Sequence, residues 1–306
     1  MRLTLDARTA AFGGLIDYAG LFPPASLPVA DAVGEYRDLR TSLHRWVGGR
    51  FLCRASDLEE IAAVAVRGFE RGESPWEIGM IVDMSPGAAA SLGQAFQREL
   101  SPIMSITAVE ARLSGPAVTD AGMLLDAIAT IDRDTAAFLE IDPAGSTRKQ
   151  IHEIGEAIRD RGMRGGAKLR CGGETRDRFP DVDQVATFIW EATLASLPFK
   201  ATAGLHQPIR HHDDALDVWR HGFLNILMAS AACDAGEDRS IVEAIIAESD
   251  PAAFSVSAMT ASWRTISLPG SAIRRSRQSG FVAFGSCDLE EPLTALDDLG
   301  FLGEGS

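Results

Sequence analysis

This sequence of 306 residues has no run of about 18 apolar residues, so we expect no membrane-spanning helix. Cysteine is scarce: four residues without a CxxC pair favour reduced thiols over disulfides or a zinc site. Basic residues are too few to balance the acidic ones, and the net charge of -14 argues against nucleic acid or an anionic membrane as a partner. The first residues lack an apolar core with a cleavage pattern, so we expect no export signal and a cytoplasmic location.

The residues that are present describe a globular chain. A hydrophobic fraction of 46% and a charged fraction of 24% are ordinary for such a protein, and the length suffices for one large core. Eight short apolar runs occur along the chain, most of them followed by a turn signal and a helical pattern. The runs cover residues 13–22, 50–55, 77–84, 102–111 and 135–142, the segments GGAKLRCGG and LPFKATAGL, and residues 280–287.

The order of strand and helix patterns indicates the fold class. Nearly continuous apolar strands, each reached through a helix, are typical of parallel strands that helices cover on the outside. Eight such units predict an α/β fold, a (β/α)8 TIM barrel spanning residues 1–306 as a single domain. A doubly wound open sheet remains the alternative.

One segment interrupts this pattern between the seventh and eighth runs. Residues 210–279 read as a helical insertion, with helices predicted over residues 213–236 and 238–250. Residues 267–280, SLPGSAIRRSRQSG, are predicted to form a polar loop with a basic tip. Because the inserted helices are rich in apolar residues, we expect a homodimer formed through them.

Two of the runs carry a lysine that is followed by glycines, Lys168 and Lys200. The sequence neighbours of both lysines are apolar, so alternation places the two amines on one face of the sheet. On neighbouring parallel strands the ammonium groups would face each other. We expect this crowding to lower a lysine pKa and to produce a neutral amine that attacks carbonyl carbon.

Further candidates lie at the carboxyl ends of the strands, where barrels of this kind hold their sites. An inward cluster of lysines, arginine and carboxylates must pair internally, because unpaired buried charge is costly. The candidates for catalysis are Lys168, Lys200, Asp17, Glu140 and His206, and those for substrate binding are Arg170, Thr202, Gly204, Ser286 and Asp142.

The lysine-bearing strands, the glycines after each, and Asp17 in LIDYAGLFPP resemble class I aldolases of the deoxyribose-phosphate aldolase type. The resemblance implies a (β/α)8 barrel, with Lys168 as the Schiff-base nucleophile, Lys200 as its electrostatic neighbour and Asp17 as the first-strand acid. The family's fourth-strand acid has two rival matches here, Glu110 and Glu140.

The same resemblance places a phosphate site at Gly285 and Ser286 in FGSC. Acidic residues at positions 288, 290 and 291 follow directly and would repel a phosphate there. Arg170 stands where the family has a turn rich in Ser and Thr, and a guanidinium binds a carboxylate bidentately. We therefore expect a substrate that carries a carboxylate.

The leading hypothesis is a lyase that forms a Schiff base with a small oxo-substrate and needs neither cofactor nor metal. Three alternatives stay open. The lysines could form a structural network with Glu140 and Asp142. A metal-dependent hydrolase or lyase could use His206 and carboxylates. A non-catalytic barrel could bind an acidic metabolite through the same lysines and arginine.

Overall fold

The apolar runs close into a barrel in a computed structural model that describes residues 6–69, 72–113, 117–141 and 146–303. Up to the seventh barrel strand the chain contains α1 (Ala7–Phe12), β1 (Ile16–Tyr18), α2 (Val29–Thr41), β2 (Gly48–Arg54), α3 (Leu58–Arg67), β3 (Trp76–Ile81), α4 (Pro86–Leu100), β4 (Met104–Arg112), α5 (Ala117–Ile128), β5 (Ala136–Glu140), α6 (Thr147–Asp160), β6 (Gly165–Arg170), α7 (Val182–Leu194) and β7 (Phe199–Thr202). The rest of the chain contains β8 (His211–Asp213), β9 (Val218–Arg220), α8 (Phe223–Asp234), α9 (Arg239–Ala247), β10 (Phe254–Val256), β11 (Thr260–Trp263), β12 (Ile266–Pro269), α10 (Gly270–Ser279), β13 (Phe281–Ser286) and α11 (Glu290–Asp298).

The barrel order is β1, β13, β7, β6, β5, β4, β3 and β2, which pairs with β1 again. Every barrel pairing is parallel, and β13 serves as the eighth strand. The predicted (β/α)8 fold is therefore confirmed.

Alternation along each strand divides the core into two layers. On β6, Ala167 and Leu169 are buried in the apolar cluster between strands and helices, and Lys168 between them points into the barrel. The outer helices turn one apolar face to this cluster, as α6 does with Ile151 and Ile154. Barrel-facing positions are thus free to carry charge while the outer layer supplies the apolar burial.

The segment predicted as a helical insertion begins differently from the prediction. Strands β8 and β9 form an antiparallel hairpin where the helix over residues 213–236 was expected, and α8 begins only at Phe223. Local chemistry explains the hairpin: the carboxylate of Asp213 accepts hydrogen bonds from the backbone N–H groups of Ala215 and Leu216, and Asp217 has a φ of 51°. These features close a turn that a helix cannot contain.

Two further expectations for this segment need correction. Residues 267–280 are not a polar loop, because α10 occupies most of them and buries Ala272 and Ile273. Strands β10, β11 and β12 add a small antiparallel sheet. We expected a dimer because the inserted helices are rich in apolar residues. The apolar residues of α8 are buried in the core of the chain itself, so they do not indicate a surface for a second copy. The homodimer stays a prediction without this support.

Within the described ranges, none of the helices combines the length and the apolar character needed to cross a membrane.

Candidate functional site

Inward side chains of the barrel form a continuous series of alternating charges, the ion-pair chain. Strand register builds its centre, because Lys168 on β6 lies beside Lys200 on β7. Side-chain alternation had placed both lysines on one face, and the structure brings them together inside the barrel. From the amino-terminal to the carboxyl-terminal ends of the strands the chain runs Arg50, Asp17, Lys200, Glu110, Lys168, Glu140, Arg170.

Lys200 lies at the centre of the barrel with 1% of its surface exposed. Its Nζ donates to the carboxylates of Asp17 and Glu110. Burial disfavours the charged amine, but these two carboxylates outweigh burial and raise the pKa of Lys200. The neutral amine that we expected from crowding is therefore not Lys200, and the role of Lys200 as the charged neighbour of Lys168 stays a prediction.

Lys168 occupies the next position towards the carboxyl ends of the strands. Its Nζ lies 2.6 Å from Glu110 Oε2 and 3.6 Å from Glu140 Oε2. Glu140 in turn accepts a hydrogen bond of 2.9 Å from Nε of Arg170, the last residue of β6. The side chain of Arg170 is 32% exposed, so the ion-pair chain reaches solvent at this end.

Glu110 on β4 joins the two lysines. One of its carboxylate oxygens contacts Lys200 and the other contacts Lys168. Burial alone would favour the protonated acid, but the two ammonium groups outweigh it and hold the pKa of Glu110 far below its ordinary value. Glu110 is thus a carboxylate at neutral pH, and the sequence had left it as one of two rival matches, with Glu140, for the fourth-strand acid.

The barrel interior beside the ion-pair chain is apolar on the β2 and β3 side. Leu52 points inward there and is 3% exposed. Gly79 makes room for it, since a Cβ at that position would lie 2.3 Å from the Leu52 Cδ2 atom. A water-poor wall of this kind strengthens the electrostatic interactions of the neighbouring charges.

At the amino-terminal ends of the strands the ion-pair chain begins with Arg50. Asp17 accepts a hydrogen bond of 2.7 Å from the backbone N–H of Arg50, and Arg50 Nη1 lies 3.7 Å from Asp17 Oδ2. Arg50 Nε donates to Thr107 Oγ1 at 2.9 Å. A cavity of about 1060 Å³ opens at this end, lined by Arg50 and by strand starts such as Gly48 and Gly165. This cavity therefore lies at the end of the barrel opposite to the carboxyl ends of the strands, and the site was expected at the carboxyl ends.

The remaining predicted residues lie around the carboxyl ends without joining the ion-pair chain. Thr202 ends β7, and the Ser286 hydroxyl donates to the backbone carbonyl of Asp288. His206 Nδ1 lies 3.1 Å from Oε2 of Glu291 on α11. Within the described ranges, none of these three side chains has a hydrogen bond or ion pair with the ion-pair chain. Asp142 lies outside the described residues.

Loops that follow the two lysine strands contact each other. Gly204 after β7 has a φ of 71°, a conformation that favours glycine, and its Cα would lie 3.0 Å from a Cβ placed on Gly172 after β6. Beyond them Arg176 forms an ion pair of 3.0 Å with Asp217 at the turn of the β8–β9 hairpin. Gly204 therefore lets these loops approach each other, and its predicted part in substrate binding stays a prediction.

Metal and thiol chemistry find little support in the side chains. Among the residues with described positions, no three His, Cys, Asp or Glu side chains are grouped to hold a metal ion. The four cysteines are free and buried. Burial raises the pKa of Cys53 and of Cys171 far above the ordinary thiol value, so both are unreactive thiols.

Comparison with known proteins does not show a family for this chain. No protein-family model matches the chain, and no curated protein matches it. The class that fold and site define is a (β/α)8 barrel with a buried lysine pair, an architecture that commonly carries enzymes.

Proposed function

We propose that this protein is a lyase of the class I aldolase kind, in which Lys168 forms a Schiff base with a small oxo-substrate that bears a carboxylate. The observation that carries the proposal is the lysine pair that shares the carboxylate of Glu110 inside the barrel. Such a pair supplies one amine for covalent chemistry and one fixed positive charge beside it.

The use of lysine in this chain supports a covalent role. Only three of the 29 basic residues are lysines, and Lys168 and Lys200 are two of them. Arginine keeps its proton in proteins and forms stronger structural ion pairs, whereas lysine can release a proton and act as a nucleophile. A purely structural network would not require the rarer residue at both positions.

Position within the ion-pair chain favours Lys168 over Lys200 as the nucleophile. Lys200 is held by two carboxylates that keep it protonated, and it lies deeper in the barrel. Lys168 is 6% exposed, and Glu140 and Arg170 lie between it and the solvent at the carboxyl ends of the strands. A substrate that enters from this end reaches Lys168 before Lys200.

Glu140 is the better proton acceptor for Lys168, because Glu110, although nearer at 2.6 Å, is held as a carboxylate by two ammonium groups. Lys168 transfers a proton to Glu140, whose Oε2 lies 3.6 Å from Nζ, and the free amine adds to the substrate carbonyl carbon. A proton moves from nitrogen to oxygen to give a carbinolamine. Glu140 then returns its proton to the hydroxyl, which departs as water and leaves a protonated imine.

Carbon–carbon cleavage follows from the electron demand of that imine. The electron pair of the breaking bond moves to the imine and forms an enamine, while the substrate's β-hydroxyl gives its proton to Glu140 and its carbon becomes a carbonyl. Protonation of the enamine at carbon and hydrolysis of the imine release the second product and restore the amine. The ammonium group of Lys200, held in place by Asp17, stabilises the negative charge that develops on the substrate oxygen as the amine adds, before the proton moves from nitrogen to that oxygen.

Arg170 connects substrate binding to this proton transfer. In the structure its Nε donates a hydrogen bond to the carboxylate of Glu140. A substrate carboxylate that binds the guanidinium bidentately competes with Glu140 for it. Loss of that ion pair makes Glu140 a better acceptor for the proton of Lys168, so a substrate with a carboxylate promotes release of the nucleophile.

Borohydride trapping tests the proposal directly. Pyruvate, glyoxylate and acetaldehyde are incubated with the protein and sodium borohydride, and peptide mapping locates the reduced adduct. We expect the adduct on Lys168, its loss in Lys168→Ala, and its persistence in the control Lys149→Ala, which removes the exposed lysine. An adduct that maps to Lys149, or none with any of the three carbonyl compounds, contradicts the proposal.

A second candidate function is favoured by the completeness of the ion pairs. Each buried ammonium group already contacts carboxylates, which suits a barrel that binds an acidic metabolite without turnover. In that case pyruvate would bind in a manner that depends on Arg170, and no covalent adduct would form.

A further inference from the structure

A second site lies at the amino-terminal ends of the barrel strands, far along the ion-pair chain from Lys168. The cavity there has a volume of about 1060 Å³, slightly above the usual range of small-molecule sites. Its walls come from the starts of barrel strands and from the carboxyl-terminal turn of α6. It therefore forms a separate mouth of the barrel.

The charge of the walls is opposite to that of the whole chain. Four arginines line the cavity, and Glu77, whose side chain is 60% exposed, is the carboxylate among its described lining residues. The protein as a whole carries a net charge of -14. A concave surface lined by positive charges attracts small anions and raises their local concentration, even on a protein that is acidic as a whole. The four arginines are Arg40, Arg50, Arg159 and Arg164.

Two of these arginines retain unused donors. Arg164 donates from Nε and Nη2 to the backbone carbonyl of Asp134, a neutral acceptor, and its Nη1 has no hydrogen bond to a described residue. Arg159 has no ion pair or side-chain hydrogen bond within the described part of the chain. Arg40 and Arg50, in contrast, lie within 4.0 Å of carboxylates. The uncompensated charge is thus concentrated on the α6 side.

The same cavity also has an apolar part. Phe138, Ile158, Met163 and Leu197 are among its lining residues. We propose that this cavity, the amino-end anion site, binds a small organic anion whose carboxylate or phosphate group contacts Arg159 and Arg164 and whose apolar body lies against these side chains. Guanidinium groups bind both oxyanions in a bidentate manner.

Arg50 and Phe138 link the amino-end anion site to the ion-pair chain. Both line the cavity, while Arg50 contacts Asp17 and the ring centroid of Phe138 lies 5.6 Å from Lys200 Nζ. An anion that enters the cavity places its charge near the end of the ion-pair chain without reaching Lys168. Binding at this site does not depend on the proposed lyase reaction.

Isothermal titration calorimetry on the full chain tests the site with four probes: phenyl phosphate, 4-phenylbutyrate, inorganic phosphate and uncharged benzyl alcohol. We expect at least one of the organic anions to bind with one-to-one stoichiometry and more tightly than inorganic phosphate or benzyl alcohol. The double variant Arg159→Gln, Arg164→Gln should weaken that binding about tenfold or more.

Two control variants show whether a loss of affinity comes from Arg159 and Arg164 in particular. Arg161→Gln removes a nearby arginine that pairs with Asp126 and does not line the cavity, so it should leave the affinity unchanged. Lys168→Ala removes the proposed nucleophile and should also leave it unchanged, which keeps this test independent of the lyase. The inference is overturned if neither organic anion binds, if benzyl alcohol binds equally well, or if the double variant loses no more affinity than Arg161→Gln.

Discussion

The two ends of this barrel use charge in opposite ways. At the carboxyl end, every cation of the ion-pair chain is paired: Glu140 lies 3.6 Å from Lys168 and 2.9 Å from Arg170, and Lys168 also contacts Glu110 at 2.6 Å. At the amino end, arginines outnumber carboxylates around an open cavity of about 1060 Å³. A closed set of ion pairs must be broken by a ligand before it can react, whereas an open set of cations is ready to bind an anion.

The difference suggests a division of labour along one connected series of charges. Paired charges in a water-poor barrel give strong, directional interactions that suit covalent chemistry on a small substrate. Partly solvated arginines at a wide mouth suit recognition and steering. Asp17 lies between the two regions, because it contacts both Arg50 and Lys200.

The largest effect is expected from Glu110→Gln, which breaks the centre of the ion-pair chain. Two buried ammonium groups then lose the carboxylate they share, and removing one partner from a buried pair costs about 3 to 5 kcal/mol. Urea unfolding monitored by circular dichroism measures the change. Adding Lys200→Met should recover part of the loss, and a cost below about 1 kcal/mol for Glu110→Gln alone would contradict the buried pairing.

The acid limb of stability should depend on the same carboxylate. The pKa of Glu110 in the folded protein lies below its ordinary value of 4.5, so its contribution is fully present above about pH 4.5 and is lost as the pH falls towards the folded value. Urea unfolding at neutral and acidic pH should therefore show a steeper decline for the wild type than for Glu110→Gln. Parallel curves would show that this carboxylate is not coupled to folding.

Alternation predicted the lysine pair correctly but could not place its partner. Lys168 and Lys200 each follow the strand period directly. On β4, Thr107 and Glu110 both point into the barrel although three positions separate them, which a regular strand does not allow. A register shift against β3, where Ile78 pairs with Ile106 but Gly79 with Ala108, changes the phase. Such a bulge has no sequence signal in this segment.

The cavity at the amino end could not be predicted from the sequence either. Its walls combine strand starts from β2, β5 and β6 with the end of α6, and these segments meet only when the barrel closes. The eight-unit pattern sufficed for the fold class, since each strand needs only its own period. Short elements were missed: α1 is six residues long, and its N-cap Asp6, which accepts from the N–H of Arg8, was not recognised.

A more moderate effect is expected from Arg170→Lys at the carboxyl end. The charge remains, but the fork that binds a carboxylate bidentately is lost. If the proposed lyase function is correct, borohydride trapping of pyruvate on Lys168 should need a concentration about tenfold higher, while trapping of acetaldehyde, which has no carboxylate, changes little. Equal effects on both carbonyl compounds would remove Arg170 from substrate binding.

The smallest effect is expected at the amino end from Gly155→Ala. A Cβ on this α6 residue would lie 3.1 Å from Nη1 of Arg159, so the flexible guanidinium must move slightly. Alanine within a helix should also raise the free energy of unfolding by about 0.5 to 1 kcal/mol. Urea unfolding should therefore show a more stable protein, while calorimetry should show that phenyl phosphate binds about two- to threefold more weakly. An unchanged affinity together with the gain in stability would place Arg159 outside the amino-end anion site and leave Arg164 as its principal cation.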